Sequence, residues 1–274
     1  MDYIYKFRRE AIRRNLSNWT IKSYEFYIND FFKKCRKDPV GITKKDVKDY
    51  LEELSFSASP STVNLAYCAM KTFVSDILNR NWNWQMKHSK KPARIPTYLT
   101  KQEMSRMLEI ITNKTHYLLI ALMYSSGLRL SEVINLEVSD FNFDKETGYV
   151  RQGKGRKDRA FIIAKKLQPL LKEYMAEKEG YVFSGRYGKV HRKTVYSIVK
   201  HYSKKAGISK NIHPHTLRHS FATHLAQEGY PLYTIQPLLG HTDPKTTQVY
   251  IHAAAPGTKV ISPLDTLDSL TPGL

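Results

Sequence analysis

The hydrophobic periodicity of this chain breaks off over residues 85–98 (QMKHSKKPARIPTY), and the break sets its architecture. The stretch holds two prolines and four basic residues and carries no apolar repeat, so it reads as an extended linker between two folding units. Residues 1–84 and 99–274 are each long enough to bury a core. Before the linker the apolar residues recur with the spacing of packed helices. Asp2–Asn15 is one amphipathic stretch, and Thr20–Lys37 sets Ile21, Tyr24, Ile28, Phe31 and Phe32 at helical intervals. Thr43 opens a third helix, with Asp46 three residues on in a capping-box position. Ser61–Leu78 is a fourth, with Val63, Tyr67, Met70, Val74 and Ile77 along one stripe.

After the linker Thr100 caps a new helix, and His116–Tyr124 is an apolar helix that ends at Ser125-Ser126-Gly127. The pattern then changes between Val138 and Ile163. Asp144, Gly148 and Gly153-Lys154-Gly155 punctuate two short runs, Tyr149–Arg151 and Ala160–Ile163, which fit a small antiparallel sheet. Helices resume near Lys165 and continue to Tyr250. The expected fold is mainly α: an N-terminal helical bundle, then a mixed α+β domain with a small antiparallel sheet.

Charge narrows what such a chain binds. Lys and Arg number 44 against 25 Asp and Glu, a formal +19. Before residue 99 there are 19 basic and 10 acidic residues, and from there on 25 and 15, so the halves carry +9 and +10. Charge shared between both parts suits a long polyanion touched by both. Gly180–Gln227 has nine Lys or Arg and no Asp or Glu, where a solvated face normally mixes signs. A membrane surface is the rival partner, but these basic residues alternate with His, Ser, Thr and Tyr rather than bordering an apolar stripe. No apolar run approaches the roughly eighteen residues of a membrane span, and MDYIYKFRREAIRRN lacks a signal-peptide core. The expectation is a soluble cytoplasmic protein, nucleoid-associated when bound to DNA. Cys35 and Cys68 have no CxxC partner and read as two thiols rather than a disulfide.

Four stretches of the second half hold groups able to do chemistry. In Gly127-Leu128-Arg129-Leu130-Ser131-Glu132, Arg129 starts a short helix and Glu132 follows on the same face; alone, such a pair is ordinarily a surface ion pair. Gly153-Lys154-Gly155-Arg156-Lys157-Asp158-Arg159 is a basic turn between strands, equally a solvated hairpin or a functional tip, and lacks the Walker spacing. In His213–His224, Pro214 suits a first helical turn and places His215, Arg218 and His219 on neighbouring positions. His215 and His219 have the HxxxH spacing of a zinc helix, but the Glu that such hydrolases use between them is missing. The fourth stretch, Leu238–His252, contains His241 and ends a Thr-rich helix near Tyr250; taken singly, that tyrosine is a packing residue.

Two arginines, a lysine, two histidines and a tyrosine are together what metal-free phosphoryl transfer on DNA needs. Guanidinium forks can hold both non-bridging oxygens of an attacked phosphodiester. A tyrosine with a pKa of about 10 needs a base or a positive field to attack near neutrality. A lysine on a hairpin can protonate the departing sugar oxygen.

With these residues the chain resembles the tyrosine recombinases, or phage-type integrases, and most closely the Xer-like recombinases of archaea and bacteria. The resemblance covers nearly the whole chain and implies a SAM-like core-binding domain (1–84) that clamps DNA, a linker (85–98) and a catalytic domain (99–274) ending in a tail that contacts a neighbouring subunit. Arg129 and Glu132 match the motif GLRLSE, Lys154 the hairpin lysine, and His215 with Arg218 the motif HxLRH. His241 matches the histidine of LGH and Tyr250 the nucleophile, and Ile261–Leu267 resembles tails of archaeal relatives. The implied roles are attack by Tyr250 to give a 3′-phosphotyrosyl link, and transition-state stabilisation by Arg129 and Arg218 with His241. His215 would be the base, Lys154 the acid, and Glu132 would orient its neighbours. Arg156 and Lys157 in the hairpin and Lys71 on the fourth helix are further candidates for DNA contact. The implied partner is double-stranded DNA with inverted half-sites, bound by a homodimer at each site and a homotetramer at synapsis, with no cofactor, metal or membrane. A type IB topoisomerase shares this active-site logic, and a non-catalytic DNA-binding protein on the same scaffold is the alternative from another class.

Overall fold

The computed structural model describes residues 3–84, 96–151, 158–185, 188–240 and 260–267. The chain divides into two units, Met1–Arg94 and Ile95–Leu274. Among the described residues no helix is long and apolar enough to cross a membrane.

The first unit consists of α1 (Tyr3–Arg13), α2 (Asn18–Cys35), α3 (Lys44–Ser57) and α4 (Pro60–Asp76). Side-chain caps set the starts. Ser17 Oγ accepts from Thr20 N at 3.1 Å, so α2 begins before the Thr20 at which periodicity alone starts it. The Thr43–Asp46 capping box closes both ways, the Thr43 N–H donating to the Asp46 carboxylate at 2.8 Å. At α4, Ser59 is the cap and Pro60 fills the first turn, where its missing N–H costs nothing. Ile21, Ile28 and Phe31 of α2 meet Val47 and Leu51 of α3 and Met70, Phe73 and Val74 of α4 in one core. The aromatic stripe is thus core, with Tyr24 and Phe32 at its margin.

The second unit opens with α5 (Lys101–Glu109), α6 (Lys114–Ser126) and the single turn α7 (Leu130–Val133). Strands β1 (Phe141–Asn142), β2 (Thr147–Val150) and β3 (Arg159–Ile162) follow, then α8 (Gln168–Met175). Strands β4 (Ser184–Gly185) and β5 (Gly188–Lys189), and helices α9 (Arg192–Lys205), α10 (Pro214–Gln227) and α11 (Leu232–Leu239), complete the described elements. The sheet is antiparallel in the order β1-β2-β3, with Val150 opposite Arg159 and Thr147 opposite Ile162. The two-residue strands β1, β4 and β5 are absent from the sequence reading because two residues carry no alternation.

Helix α6 lies at the centre. Every residue from Tyr117 to Ser126 is buried, which fits a helix apolar on all sides. Its end is fixed by Gly127 at φ +58°, where a Cβ would sit 2.5 Å from Phe221 Cδ1 of α10. Phe221, Leu225, Ile235 and Leu239 form a second apolar cluster, shared by α10 and α11. Residues 260–267 pack on their own unit. Leu264 and Leu267 enter its core, and the Asp265 carboxylate accepts from the Lys165 and Lys166 N–H groups at 3.0 and 2.9 Å. These contacts fix residues 260–267 to the second unit.

Candidate active site

Two glycine-terminated helices and one short helix bring the site together. Gly127 ends α6 in a left-handed turn, and two residues later Arg129 caps α7 with extended backbone. The Arg129 N–H donates to Glu132 Oε2 at 2.7 Å, and its guanidinium donates to Glu132 Oε1 at 2.6 Å. The pair that sequence alone leaves as a surface ion pair is buried, since the Glu132 side chain is 3% exposed.

Arg218 comes from the second turn of α10. Its Nη1 donates to the Gly127 carbonyl at 2.7 Å and lies 3.9 Å from Glu132 Oε2. A third guanidinium completes the group: Arg159, the first residue of β3, donates from Nη2 to Glu132 Oε2 at 2.6 Å. All three also reach the last turn of α11. Arg159 donates to the Leu238 carbonyl, Arg218 to the Leu239 carbonyl, and Arg129 Nη2 to the Gly240 carbonyl at 3.0 Å. These are carbonyls that a helix end leaves without intrahelical donors, at the negative end of its dipole.

The electrostatics follow from this packing. Burial alone would raise the pKa of the Glu132 carboxyl, but the charge and hydrogen bond of Arg159, then those of Arg129, hold it below the usual carboxylate range. Three guanidiniums against one carboxylate leave two positive charges in excess, a field suited to a phosphodiester. His215, one turn before Arg218, keeps access to solvent. The protein packed round its ring, then the charges of His213, Arg218, Arg129 and Arg192, disfavour its imidazolium and lower its pKa. The neutral ring able to accept a proton is thereby favoured at neutral pH. Among the described residues no three His, Cys, Asp or Glu side chains gather as metal ligands.

Of the residues singled out in the sequence, Arg129, Glu132, Arg218 and His215 are thus near one another. Lys71 is exposed on α4 of the other unit. Lys154, Arg156, Lys157, His241 and Tyr250 lie outside the described residues. The basic stretch includes α9, whose Arg192, Lys193, Lys200, Lys204 and Lys205 are all exposed. Arg159 was missed by sequence reasoning, although a signal existed. Phe161 and Ile163 are core residues, so the period of two along a strand places Arg159 on the same inward face. A charge on a core face is uncommon unless it is paired.

The model of the phage integrase family matches residues 97–256, and that of the phage integrase N-terminal SAM-like domain matches residues 4–84. The chain belongs to the phage integrase family. The tyrosine recombinase resemblance seen in the motifs is borne out at that level, and the chain is an enzyme of the DNA strand transferase kind. It is similar to a tyrosine recombinase of Thermosipho africanus, at 34% identity over 89% of this chain and 91% of that one. It is also similar to the tyrosine recombinase XerA of Pyrococcus horikoshii, at 36% identity over 91% and 88%. Among solved structures, the XerH site-specific recombinase bound to its difH substrate in a pre-cleavage complex matches with a TM-score of 0.71. That match has 25% identity and covers 87% of this chain and 77% of that chain. The mainly α architecture, with its SAM-like first domain and small antiparallel sheet, is the fold of these recombinases.

Proposed function

We propose that this phage integrase is a site-specific DNA recombinase that cuts and rejoins strands through a 3′-phosphotyrosyl intermediate on Tyr250. The observation that carries the reading is the meeting of Arg129 and Arg218 at one buried carboxylate, with His215 one turn away. Arg129 and Arg218 hold the non-bridging oxygens of the scissile phosphate, and His241 adds a donor. His215 takes the proton of the Tyr250 hydroxyl as the phenolate oxygen attacks phosphorus. The 5′ oxygen leaves with a proton from Lys154, and Glu132 keeps Arg129 in place. The bond to tyrosine conserves the energy of the broken phosphodiester, so a partner strand's 5′-hydroxyl can reverse the step without ATP. Two such rounds pass through a four-way junction.

The domain at 1–84, the linker at 85–98 and the catalytic domain at 99–274 are proposed to clamp the duplex together, with Lys71, Arg156 and Lys157 on phosphates. A homodimer on each pair of inverted half-sites and a homotetramer at synapsis are the proposed assemblies. DNA-bound relatives of this fold, such as XerH on difH, support the choice of partner.

Selection of bound duplexes from a random pool should return two inverted half-sites around a short spacer. A supercoiled plasmid carrying two copies of that site, in direct repeat, should then yield two smaller circles. Efficient relaxation of a plasmid without the site by dilute monomer, and no excised circle, would contradict the reading in favour of a topoisomerase.

A further inference from the structure

We infer that Arg159 is a positioning residue of strand cleavage, the tie that holds Glu132 and the end of α11 in register for the two phosphate-binding arginines. The inference rests on the recombinase reading and adds a residue to it.

Three features set Arg159 apart. Its side chain is 9% exposed, and both of its terminal nitrogens are engaged: Nη2 with Glu132 Oε2 at 2.6 Å, Nη1 with the Leu238 carbonyl. Its aliphatic stem passes under Gly240, where a Cβ would stand 2.6 Å from Arg159 Cδ and 3.1 Å from its Nε. Gly240 is therefore required twice over, for its φ of +59° and for the room that it leaves to this stem. A guanidinium so enclosed acts through its neighbours rather than on a phosphate.

Those neighbours are the machinery. Glu132 is shared between Arg129 at 2.6 Å, Arg159 at 2.6 Å and Arg218 at 3.9 Å. Without Arg159, that carboxylate would bond only Arg129 and draw Arg218 toward itself, away from where a phosphate must lie. The Leu238 carbonyl would also lose its donor. The next two carbonyls are those that Arg218 and Arg129 hold, and His241 follows directly in the chain. One residue thus fixes the position of both arginines relative to the backbone that leads into His241. Lys154, the proposed acid, stands five residues earlier in the sequence.

The test uses the full-length protein and a duplex of the selected site, nicked near the cleavage point so that the covalent adduct is trapped. Single-turnover adduct formation, affinity for the intact duplex and thermal melting are measured for wild type, Arg159→Met and Arg159→Lys. Displacing a catalytic group by about 1 Å can cost on the order of 100-fold in rate. Arg159→Met is expected to form adduct about 100-fold more slowly with unchanged DNA affinity. Arg159→Lys keeps the charge but cannot reach Glu132 and Leu238 as one rigid fork, so it should recover part of the rate and remain about tenfold below wild type.

A folded Met variant cleaving at the wild-type rate overturns the role, and so does a loss of affinity that accounts for the loss of rate. If the Met variant shows no melting transition, the Lys variant decides on the same two criteria. Wild-type protein that forms no adduct overturns the recombinase reading, and the role of Arg159 falls with it.

Discussion

Glu132 is the one carboxylate that Arg129, Arg159 and Arg218 share. With its carboxylate removed, Arg129, Arg159 and Arg218 face one another in a buried space with no counter-charge. Breaking a buried ion pair from one side costs about 3–5 kcal/mol, so Glu132→Ala should lower the urea unfolding free energy by about that amount. A loss under about 1 kcal/mol would show the pairs to be as weak as solvent-exposed ones. His215 makes a prediction of opposite character. Its pKa lies below the ordinary histidine value, so the neutral ring persists as pH falls. As the proposed base it should give the cleavage rate an acid limb centred below the ordinary histidine value of about 6.5. A limb centred above pH 6.5 would contradict the assignment. Arg129, Glu132, His215 and Arg218 were legible because each stands in a motif with fixed spacing. Arg159 was not, because the apolar run begins at Ala160 and the arginine belongs by composition to the basic turn, one residue outside the alternation that marks it as inward.

The helices show which local signals decide structure. Thr43 with Asp46, Thr100 and Pro214 were readable as helix starts because capping is local chemistry, and each is found at or beside a helix start. The strands of two residues were not readable, since their pairing is imposed by chain neighbours rather than by pattern. At Gly127, φ is +58° and a Cβ would stand 2.5 Å from Phe221, so Gly127→Ala combines a left-handed backbone with overpacking. Roughly 1–2 kcal/mol from the backbone and 1–3 from the clash should appear together in denaturant unfolding, and an effect under about 0.5 kcal/mol would mean that α6 and α10 separate easily. Helix α10 also sets a pH dependence. His219 is pushed down to about 4 by burial, then by His215, Arg218 and His213. His224 reaches about 4 by burial, with the Leu99 backbone opposing and Lys101 adding to the shift, and it bonds the Tyr124 hydroxyl at 2.8 Å. Unfolded, both take up a proton near pH 6.5. Between those values the unfolded chain binds more protons, so stability is full above about pH 6.5 and declines as pH falls toward 4. The melting temperature should already drop between pH 7 and pH 5, above most carboxylate titration. A flat profile over that window would show these rings to be solvated.

At the scale of the whole molecule, the break in periodicity over residues 85–98 falls where the chain divides into two units, and positive charge is written along both. Units ending at Arg94 and beginning at Ile95 carry nearly equal positive charge, and a protein that neutralises many phosphates releases as many counterions. Affinity for the selected duplex should fall by roughly 1,000-fold or more between 50 and 200 mM salt. A change of only a few-fold would mean that few phosphates are met. Tyr250, assisted by the arginines gathered at Glu132, is proposed to become covalently joined to DNA. The most direct test is to incubate wild type and Tyr250→Phe with the nicked duplex in excess EDTA and then denature them. Wild type is expected to give a protein–DNA adduct, mapped by mass spectrometry to a peptide containing phosphorylated Tyr250, and the Phe variant none, although it still binds the duplex. Adduct from the Phe variant, or a phosphate found on another residue, would contradict the proposal.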